Sequence, residues 1–139
     1  MATNRFQRTR EDHQRESAED YVELIDGLLQ EKGEARVVEL ATRLGISHVS
    51  VSKTVQRLRR DGLVTAEPYR SIFLTDKGRA LAEQSRERHA LVFAFLRAIG
   101  VPGSIADTDA EGIEHHVSAE TLTAMRKFVE QVRKNQPKG

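Results

Sequence analysis

Three residues that could bind a metal ion lie within the stretch DAEGIEHH, residues 109–116. Glu111, Glu114 and His115 are spaced i, i+3 and i+4, so a helix would bring them onto one face, about 5–6 Å apart at Cβ. Carboxylates and imidazoles are ligands of divalent cations. The competing interpretation is an ordinary helix start, because the helix dipole stabilises acidic residues in a first turn.

Two other segments carry possible ligands beside apolar residues. Asp20 and Glu23 are spaced i, i+3 next to an apolar stripe, and His89 precedes the apolar patch 91–93. Taken singly, the two acids are more typical of a solvated helix face or a cap, and the histidine of a core or an interface. If the segments converge, six side chains would surround one cavity: Asp20, Glu23, His89, Glu111, Glu114 and His115.

The composition limits the type of metal and the compartment. The 139 residues include no Cys, which excludes disulfides and thiolate metal sites. Carboxylate and imidazole ligands favour Mn²⁺ or Fe²⁺, and a surplus of carboxylates permits two ions. No apolar run approaches the roughly 18 residues of a membrane helix, and the polar N-terminus lacks the apolar core of a secretory signal. We therefore expect a cytoplasmic protein without a membrane partner.

Charge is segregated along the chain, although 22 basic and 21 acidic residues leave a net charge of only +1. Residues 36–70 contain seven basic residues and three acids, whereas residues 101–125 contain five acids and no Lys or Arg. This asymmetry is typical of a part that binds a polyanion followed by a part that binds a cation.

The first half of the chain predicts a winged helix-turn-helix domain over residues 18–75, after a flexible arm, residues 1–17, that has too few apolar side chains to fold alone. Helix caps and hydrophobic spacing define its elements. They are a helix from Ser17 to Gly33, a helix over 37–45, a helix capped by Ser47 that ends at Gly62, and strands over 63–68 and 71–75.

The helix-turn-helix spacing leaves a polar, basic face for DNA. Ala41, Gly45 and Val51 supply the small residue, the φ > 0 turn and the inward apolar residue that this motif needs. The predicted contacts to base edges and phosphates are Ser47, His48, Ser50, Lys53, Gln56 and Arg57 on the helix and Arg70 at the wing tip. The alternative is a winged-helix module that binds another protein, with these charges merely solvated.

The second half of the chain, residues 76–139, predicts helices only. Thr75 or Asp76 caps a long helix that ends near Ile99, where Gly100-Val101-Pro102-Gly103 breaks it. A helix through DAEGIEHH follows, and Ser118 caps a last helix that ends near Lys134, before a loose tail. The predicted fold class is therefore mainly α with a small β-hairpin wing.

Six segments follow one another in the chain: EDYVELI, GEARVVELATRLGIS, SKTVQRL, PYRSIFLTDKG, RERH and DAEGIEHHVS. In this order and spacing they resemble the manganese-responsive members of the diphtheria toxin repressor family of metal-dependent regulators. The similarity covers roughly residues 18–130 and is specific in the pairing of EDYVE with EGIEHH. It implies a homodimer in which residues 76–139 form the metal-binding and dimerisation domain. No additional SH3-like domain, as in longer iron-responsive relatives, is expected.

The resemblance also implies a site for two Mn²⁺ ions in each subunit, between the two domains, with all six candidate ligands matched and Glu23, Glu111 and Glu114 as the bridging ones. His116 lies outside the ligand set. Iron-responsive members carry sulfur ligands where this chain has Asp20 and Glu114, so manganese is favoured. Departures are the absence of the usual proline within Ser47–Ser50 and Ser71 in place of a glycine in the wing.

The function that follows is a manganese-dependent repressor that binds double-stranded operator DNA and controls genes of manganese uptake. An iron(II)-activated regulator of the same fold remains an alternative. A metallohydrolase with two carboxylate-bridged ions is a third hypothesis, but the sequence has no HEXXH, P-loop, GxSxG or dinucleotide motif. We therefore expect neither an enzyme nor an organic cofactor.

Overall fold

The computed structural model describes residues 5–136, which contain six α-helices and one two-stranded antiparallel sheet. The chain forms two compact units, and the boundary between Gln84 and Ser85 falls within α4. None of the helices within the described residues combines the length and apolar composition needed to cross a bilayer. The elements are α1 Arg5–Lys32, α2 Val37–Leu44, α3 His48–Arg60, β1 Val64–Thr65, β2 Phe73–Leu74, α4 Asp76–Ala98, α5 Gly103–Ile113 and α6 Ala119–Lys134.

Helix α1 begins at Arg5 and not at Ser17, so residues 5–17, predicted as part of a flexible arm, are helical. The rest of that predicted arm, residues 1–4, lies outside the described residues. Exposed side chains one turn apart support these extra turns. Gln7 Nε2 donates to Glu11 Oε1 at 3.3 Å, and Arg15 forms an ion pair with Asp12 at 2.9 Å. Such pairs stabilise a helix without burying apolar surface, which is why the scarcity of apolar residues was misleading.

The first unit buries one apolar stripe from each of its main helices. Val51, Val55 and Leu58 of α3 are buried as the helix-turn-helix spacing predicts, and Gly45 ends α2 with a φ of 68°. Ala41, 4% exposed, is the small residue beside this turn. The rest of the core includes Tyr21, Val22, Ile25, Leu28, Leu40, Leu63, Val64, Ile72 and Leu74.

The wing is a hairpin with two-residue strands, shorter than the predicted 63–68 and 71–75. Val64 pairs with Leu74 and Thr65 with Phe73. Ser71 replaces the glycine that the family resemblance would place in the wing. Its hydroxyl accepts a hydrogen bond from the Ala35 N–H at 2.9 Å. Ser71 therefore anchors the wing to the loop before α2.

The start of α4 packs closely against the wing. The Gly78 N–H donates to Thr75 Oγ1 at 3.1 Å, so Thr75 is the cap of this helix. The Thr75 N–H in turn donates to the Leu63 carbonyl oxygen at 3.0 Å. A Cβ at Gly78 would lie 2.1 Å from that same oxygen, so only glycine permits this approach.

The second unit has a smaller core in which α4, α5 and α6 take part. Val92 and Leu96 are buried with Ala106 and Ala110 of α5. Phe95 and Phe128 of α6 form an edge-to-face pair with ring centroids 5.5 Å apart. The Ser118 Oγ accepts from the Thr121 N–H at 3.1 Å, which confirms the predicted cap of α6. Of the predicted loose tail, residues 137–139 lie outside the described residues.

Candidate functional site

The acidic residues of DAEGIEHH lie at the C-terminal end of α5, and the interpretation of this stretch as a helix start is wrong. Glu111 is in the last turn, and Glu114 is the C-cap residue, whose N–H donates to the Ala110 carbonyl. The C-terminal end of a helix carries partial negative charge, which disfavours carboxylates. The last turn of α5 contains no basic residue to offset them. Positive charge from outside this turn would therefore stabilise them.

His89 of α4 faces these two carboxylates. Its Nδ1 atom lies 3.6 Å from Glu111 Oε1 and 3.4 Å from Glu114 Oε2. This nitrogen is buried and makes no hydrogen bond to any of the described residues. One donor atom from each of the three residues lies within 4.8 Å of the others. A divalent cation bound by one imidazole and two carboxylates is compatible with this geometry and with this set of donors.

Asp107, one turn before Glu111 on α5, holds the other nitrogen of the same imidazole. His89 Nε2 and Asp107 Oδ1 are 2.9 Å apart. Burial by itself lowers the pKa of His89, but the hydrogen bond to Asp107 and the negative charges of Glu114, Glu111 and Asp107 outweigh it and raise this pKa above its ordinary value. The second unit thus concentrates negative charge around one histidine.

His115 follows Glu114 and is also buried, at 2% exposure. Its Nε2 atom lies 3.5 Å from Glu114 Oε1, so the carboxylate of Glu114 has an imidazole near each oxygen. His116 is exposed and borders a separate open groove together with Asp109. The structure therefore brings together four predicted ligands in the second unit: His89, Glu111, Glu114 and His115.

The other two predicted ligands, Asp20 and Glu23, belong to the first unit. They lie one turn apart on α1 and both are partly buried. One carboxylate oxygen of Glu23 is buried without a hydrogen-bond partner among residues 5–136. Burial of a carboxylate oxygen costs free energy unless a cation or a hydrogen-bond donor interacts with it. A bound metal ion would provide that interaction.

The predicted DNA contacts lie on α3 and the wing, with differences among them. His48, Lys53 and Gln56 are exposed, whereas Arg57 is half-buried and one of its guanidinium nitrogens is buried. Arg70 is 77% exposed and forms an ion pair with Glu67 at 3.3 Å.

The two serines at the start of α3 serve first as a helix cap. The Ser47 Oγ accepts from the Ser50 N–H at 3.1 Å and donates to the Ser50 Oγ at 3.0 Å. The sequence predicts Ser47 as this cap, and it predicts both hydroxyls as contacts to DNA. Their neighbour Val49, an apolar side chain that is 64% exposed, lies outside the predicted contacts.

Comparison with known proteins decides the family. The profile described as "Iron dependent repressor, N-terminal DNA binding domain" matches residues 13–72, and "Iron dependent repressor, metal binding and dimerisation domain" matches residues 75–139. The chain belongs to the iron-dependent repressor family. This is a family of metal-dependent transcriptional repressors with a DNA-binding domain followed by a dimerisation domain.

Curated members of the family are similar over most of the chain. The transcriptional regulator MntR of Escherichia coli O6:H1 (strain CFT073) is 52% identical over 125 residues, 90% of this chain and 81% of that protein. The transcriptional regulator MntR of Salmonella typhimurium (strain LT2) is 51% identical over 126 residues, 91% of this chain and 80% of that protein.

Solved structures of the family share the fold. The manganese regulator SloR superposes with a TM-score of 0.70 at 27% identity and covers 81% of this chain. A manganese-dependent transcriptional repressor complexed with manganese gives a TM-score of 0.66 at 28% identity, again over 81% of this chain. The chain spans about half the length of these solved relatives, 53% and 52%.

Asp107, which contacts the proposed ligand His89, lies outside the predicted ligand set. It precedes Glu111 by four residues and Glu114 by seven, a spacing that places all three on one side of this segment. The sequence predicts that His89 converges with Glu111 and Glu114, but it does not predict the contact between His89 and Asp107.

Proposed function

We propose that this chain represses transcription by binding double-stranded operator DNA as a homodimer when its metal centre holds Mn²⁺, and thereby controls genes of manganese uptake in the cytoplasm. The observation that carries the proposal is the buried Nδ1 atom of His89, which faces Glu111 and Glu114 at the C-terminal end of α5. The MntR relatives and the two manganese regulators of known structure support manganese as the activating ion.

The proposed ligands would coordinate a metal ion only through oxygen and nitrogen atoms. Carboxylate and imidazole donors suit Mn²⁺ and Fe²⁺ better than metals that prefer thiolates. Four carboxylates exceed the charge of one divalent cation, which supports two ions in each subunit, with Glu23, Glu111 and Glu114 shared. The proposed set is Asp20, Glu23, His89, Glu111, Glu114 and His115.

Repression would follow from a difference in metal affinity between two states of the chain. When bound, Mn²⁺ would add positive charge beside the carboxylates at the end of α5. Because the proposed ligands come from both units, the metal-bound chain would favour one arrangement of those units over others. If that arrangement allows both α3 helices of a dimer to enter successive major grooves, metal and DNA binding strengthen each other.

The proposed DNA-binding residues differ in their roles. Lys53 and Gln56 are exposed on α3 and suit phosphates and base edges, as does His48 in the first turn. Ser47, Ser50 and the half-buried Arg57 would act near the phosphates, with the serines also capping the helix. Arg70 would contact the DNA backbone or the minor groove from the wing.

Iron(II) is the second candidate activator, since the matching profiles describe iron-dependent repressors and the donor set accepts Fe²⁺. Selection from a random duplex library with Mn²⁺ present would define the operator. Fluorescence anisotropy on that duplex should then show tight binding with Mn²⁺, weaker binding with anaerobic Fe²⁺, and little binding in chelator. DNA affinity that does not depend on metal would refute the regulatory function, and equal or stronger activation by Fe²⁺ would refute the preference for manganese.

The proposal also excludes an enzymatic role. A hydrolase with two carboxylate-bridged ions needs a general base beside the metals. The carboxylates that contact His89 are proposed either as metal ligands, Glu111 and Glu114, or as the partner of its Nε2 atom, Asp107. Hydrolysis of generic phosphate esters or peptides by the Mn²⁺-loaded protein, lost in Glu114→Gln, would contradict this assignment.

A further inference from the structure

We propose that Asp107 is a positioning residue of the metal centre, which fixes His89 in the tautomer that directs an unprotonated Nδ1 toward Glu111 and Glu114. The ligand role of His89 rests on the proposed function, whereas the tautomer itself does not. None of the patterns in the sequence identifies Asp107, and no ligand role is assigned to it.

The two nitrogens of the His89 imidazole face different neighbours. A neutral imidazole carries its proton on one nitrogen and a lone pair on the other, and the hydrogen bond of the first decides which. Asp107 Oδ1, a carboxylate oxygen that can only accept, lies 2.9 Å from His89 Nε2. The proton of the neutral ring therefore belongs on Nε2, and Nδ1 carries the lone pair.

The surroundings of Nδ1 explain why the position of the proton on the ring matters. The atom is buried, makes no hydrogen bond within residues 5–136, and faces carboxylate oxygens at 3.4 and 3.6 Å. A lone pair directed at two carboxylates is unfavourable in the absence of a cation. A histidine that binds metal through one nitrogen commonly donates its other N–H to a carboxylate, which orients the ring and makes it a stronger ligand.

The nitrogen that each carboxylate faces separates this role from that of the proposed ligands. Asp107 contacts Nε2 of His89, whereas Glu111 and Glu114 lie near Nδ1. Asp107 lies at the rim of the centre and reaches it only through His89. A plain surface ion pair between the two residues would contribute little to the stability of the fold and would not depend on the tautomer.

The first experiment uses the metal-free chain at alkaline pH, where imidazoles are neutral. ¹⁵N–¹H correlation spectra of the histidine rings, with His89 assigned from a His89→Gln variant, report the tautomer directly. The wild type should show the Nε2–H form of His89. Asp107→Ala should give a mixture of tautomers, and Asp107→Asn, whose amide oxygen still accepts, should restore most of the Nε2–H form.

The second experiment titrates Mn²⁺ into the same proteins by calorimetry. Asp107→Ala should bind Mn²⁺ roughly 10- to 100-fold more weakly, the range expected for a partner that orients a metal-binding histidine. Asp109→Ala is the matched control, because it removes an exposed carboxylate from the same helix without touching His89. It should change affinity far less.

The outcomes separate the two claims. An unchanged His89 tautomer in Asp107→Ala overturns the positioning role, whatever the metal does. A changed tautomer with unchanged Mn²⁺ binding also overturns it, because the tautomer would then have no effect on the metal. Tighter Mn²⁺ binding overturns it as well, because the pair would then hold His89 away from the metal. A wild type that shows the Nε2–H form but binds no Mn²⁺ refutes the proposed function and leaves the orientation of His89 by Asp107 established.

Discussion

The buried carboxylate of Glu114, at the C-terminal end of α5, faces the Nδ1 atom of His89, in the interior of α4, at 3.4 Å. Glu114 is 0% exposed and lies where the helix dipole is unfavourable for an anion. A buried carboxylate in such a position is expensive unless positive charge compensates it. This relationship makes Glu114 the most informative of the proposed ligands to change.

Glu114→Gln should abolish most of the metal response. The amide keeps the shape of the side chain and removes the charge. We therefore expect Mn²⁺ to bind about 100-fold more weakly or worse, because even the loss of a residue that only orients a metal ligand can weaken metal binding by about 100-fold. Calorimetry measures the affinity, and anisotropy with operator DNA measures the response. Glu120→Gln, the same change at an exposed residue of α6, should behave as wild type. Equal affinity in both variants would remove Glu114 from the ligand set.

Mn²⁺ affinity should rise with pH through the pKa of His89. That pKa lies above its ordinary value of 6.5, since the Asp107 hydrogen bond and the charges of Glu114, Glu111 and Asp107 outweigh the effect of burial, which lowers it. Only the neutral imidazole binds a cation, so the affinity should fall about tenfold for each pH unit below the raised pKa.

The metal-free fold should respond in the opposite direction. A group whose pKa is higher in the folded chain stabilises the fold fully below the unfolded value near 6.5, and this contribution is lost as the pH rises through the folded pKa. Chemical denaturation in chelator, compared with His89→Gln, isolates the effect. A wild type and a His89→Gln variant with parallel pH profiles for both metal binding and unfolding would contradict the prediction.

Local signals were sufficient for most of the fold. Ser47 and Ser118 cap their helices as predicted, because a cap is decided within four residues. Gly45 adopts the left-handed conformation that the helix-turn-helix requires. The start of α1 was wrong because exposed charge pairs, and not apolar burial, extend that helix to Arg5.

The sequence predicts the residue types of the proposed metal centre but not their positions on the helix. Spacing grouped Glu111 and Glu114 correctly, yet the helix that carries them ends near them instead of starting there. The pair Pro102-Gly103 is typical of a helix start as well as of a break, but the prediction uses it only as a break. The contact between Asp107 and His89 joins residues 18 positions apart, so no local pattern could reveal it.

Gly78→Ala should destabilise the first unit. The new Cβ would lie 2.1 Å from the Leu63 carbonyl oxygen, which already accepts from the Thr75 N–H, so the start of α4 must move away from the wing. We expect a loss of about 1–3 kcal/mol in the free energy of unfolding, the range for overpacking. Gly27→Ala, in the interior of α1 with open space around it, should instead stabilise by about 0.5–1 kcal/mol. Thermal or urea unfolding of the two variants compares them, and a neutral Gly78→Ala would mean that the wing moves freely.

Lys53→Ala should weaken DNA binding and leave metal binding intact. Lys53 is exposed on α3, in the first unit, whereas the metal-binding group around His89 lies in the second. Loss of one phosphate contact per subunit should make the slope of log affinity against log salt less negative by about 2 for a dimer. Lys127→Ala, a matched change on exposed α6, should leave the slope unchanged. Anisotropy across a salt series with saturating Mn²⁺ gives both slopes. If the two variants share the wild-type slope, α3 does not carry the DNA contact and the winged helix serves another partner.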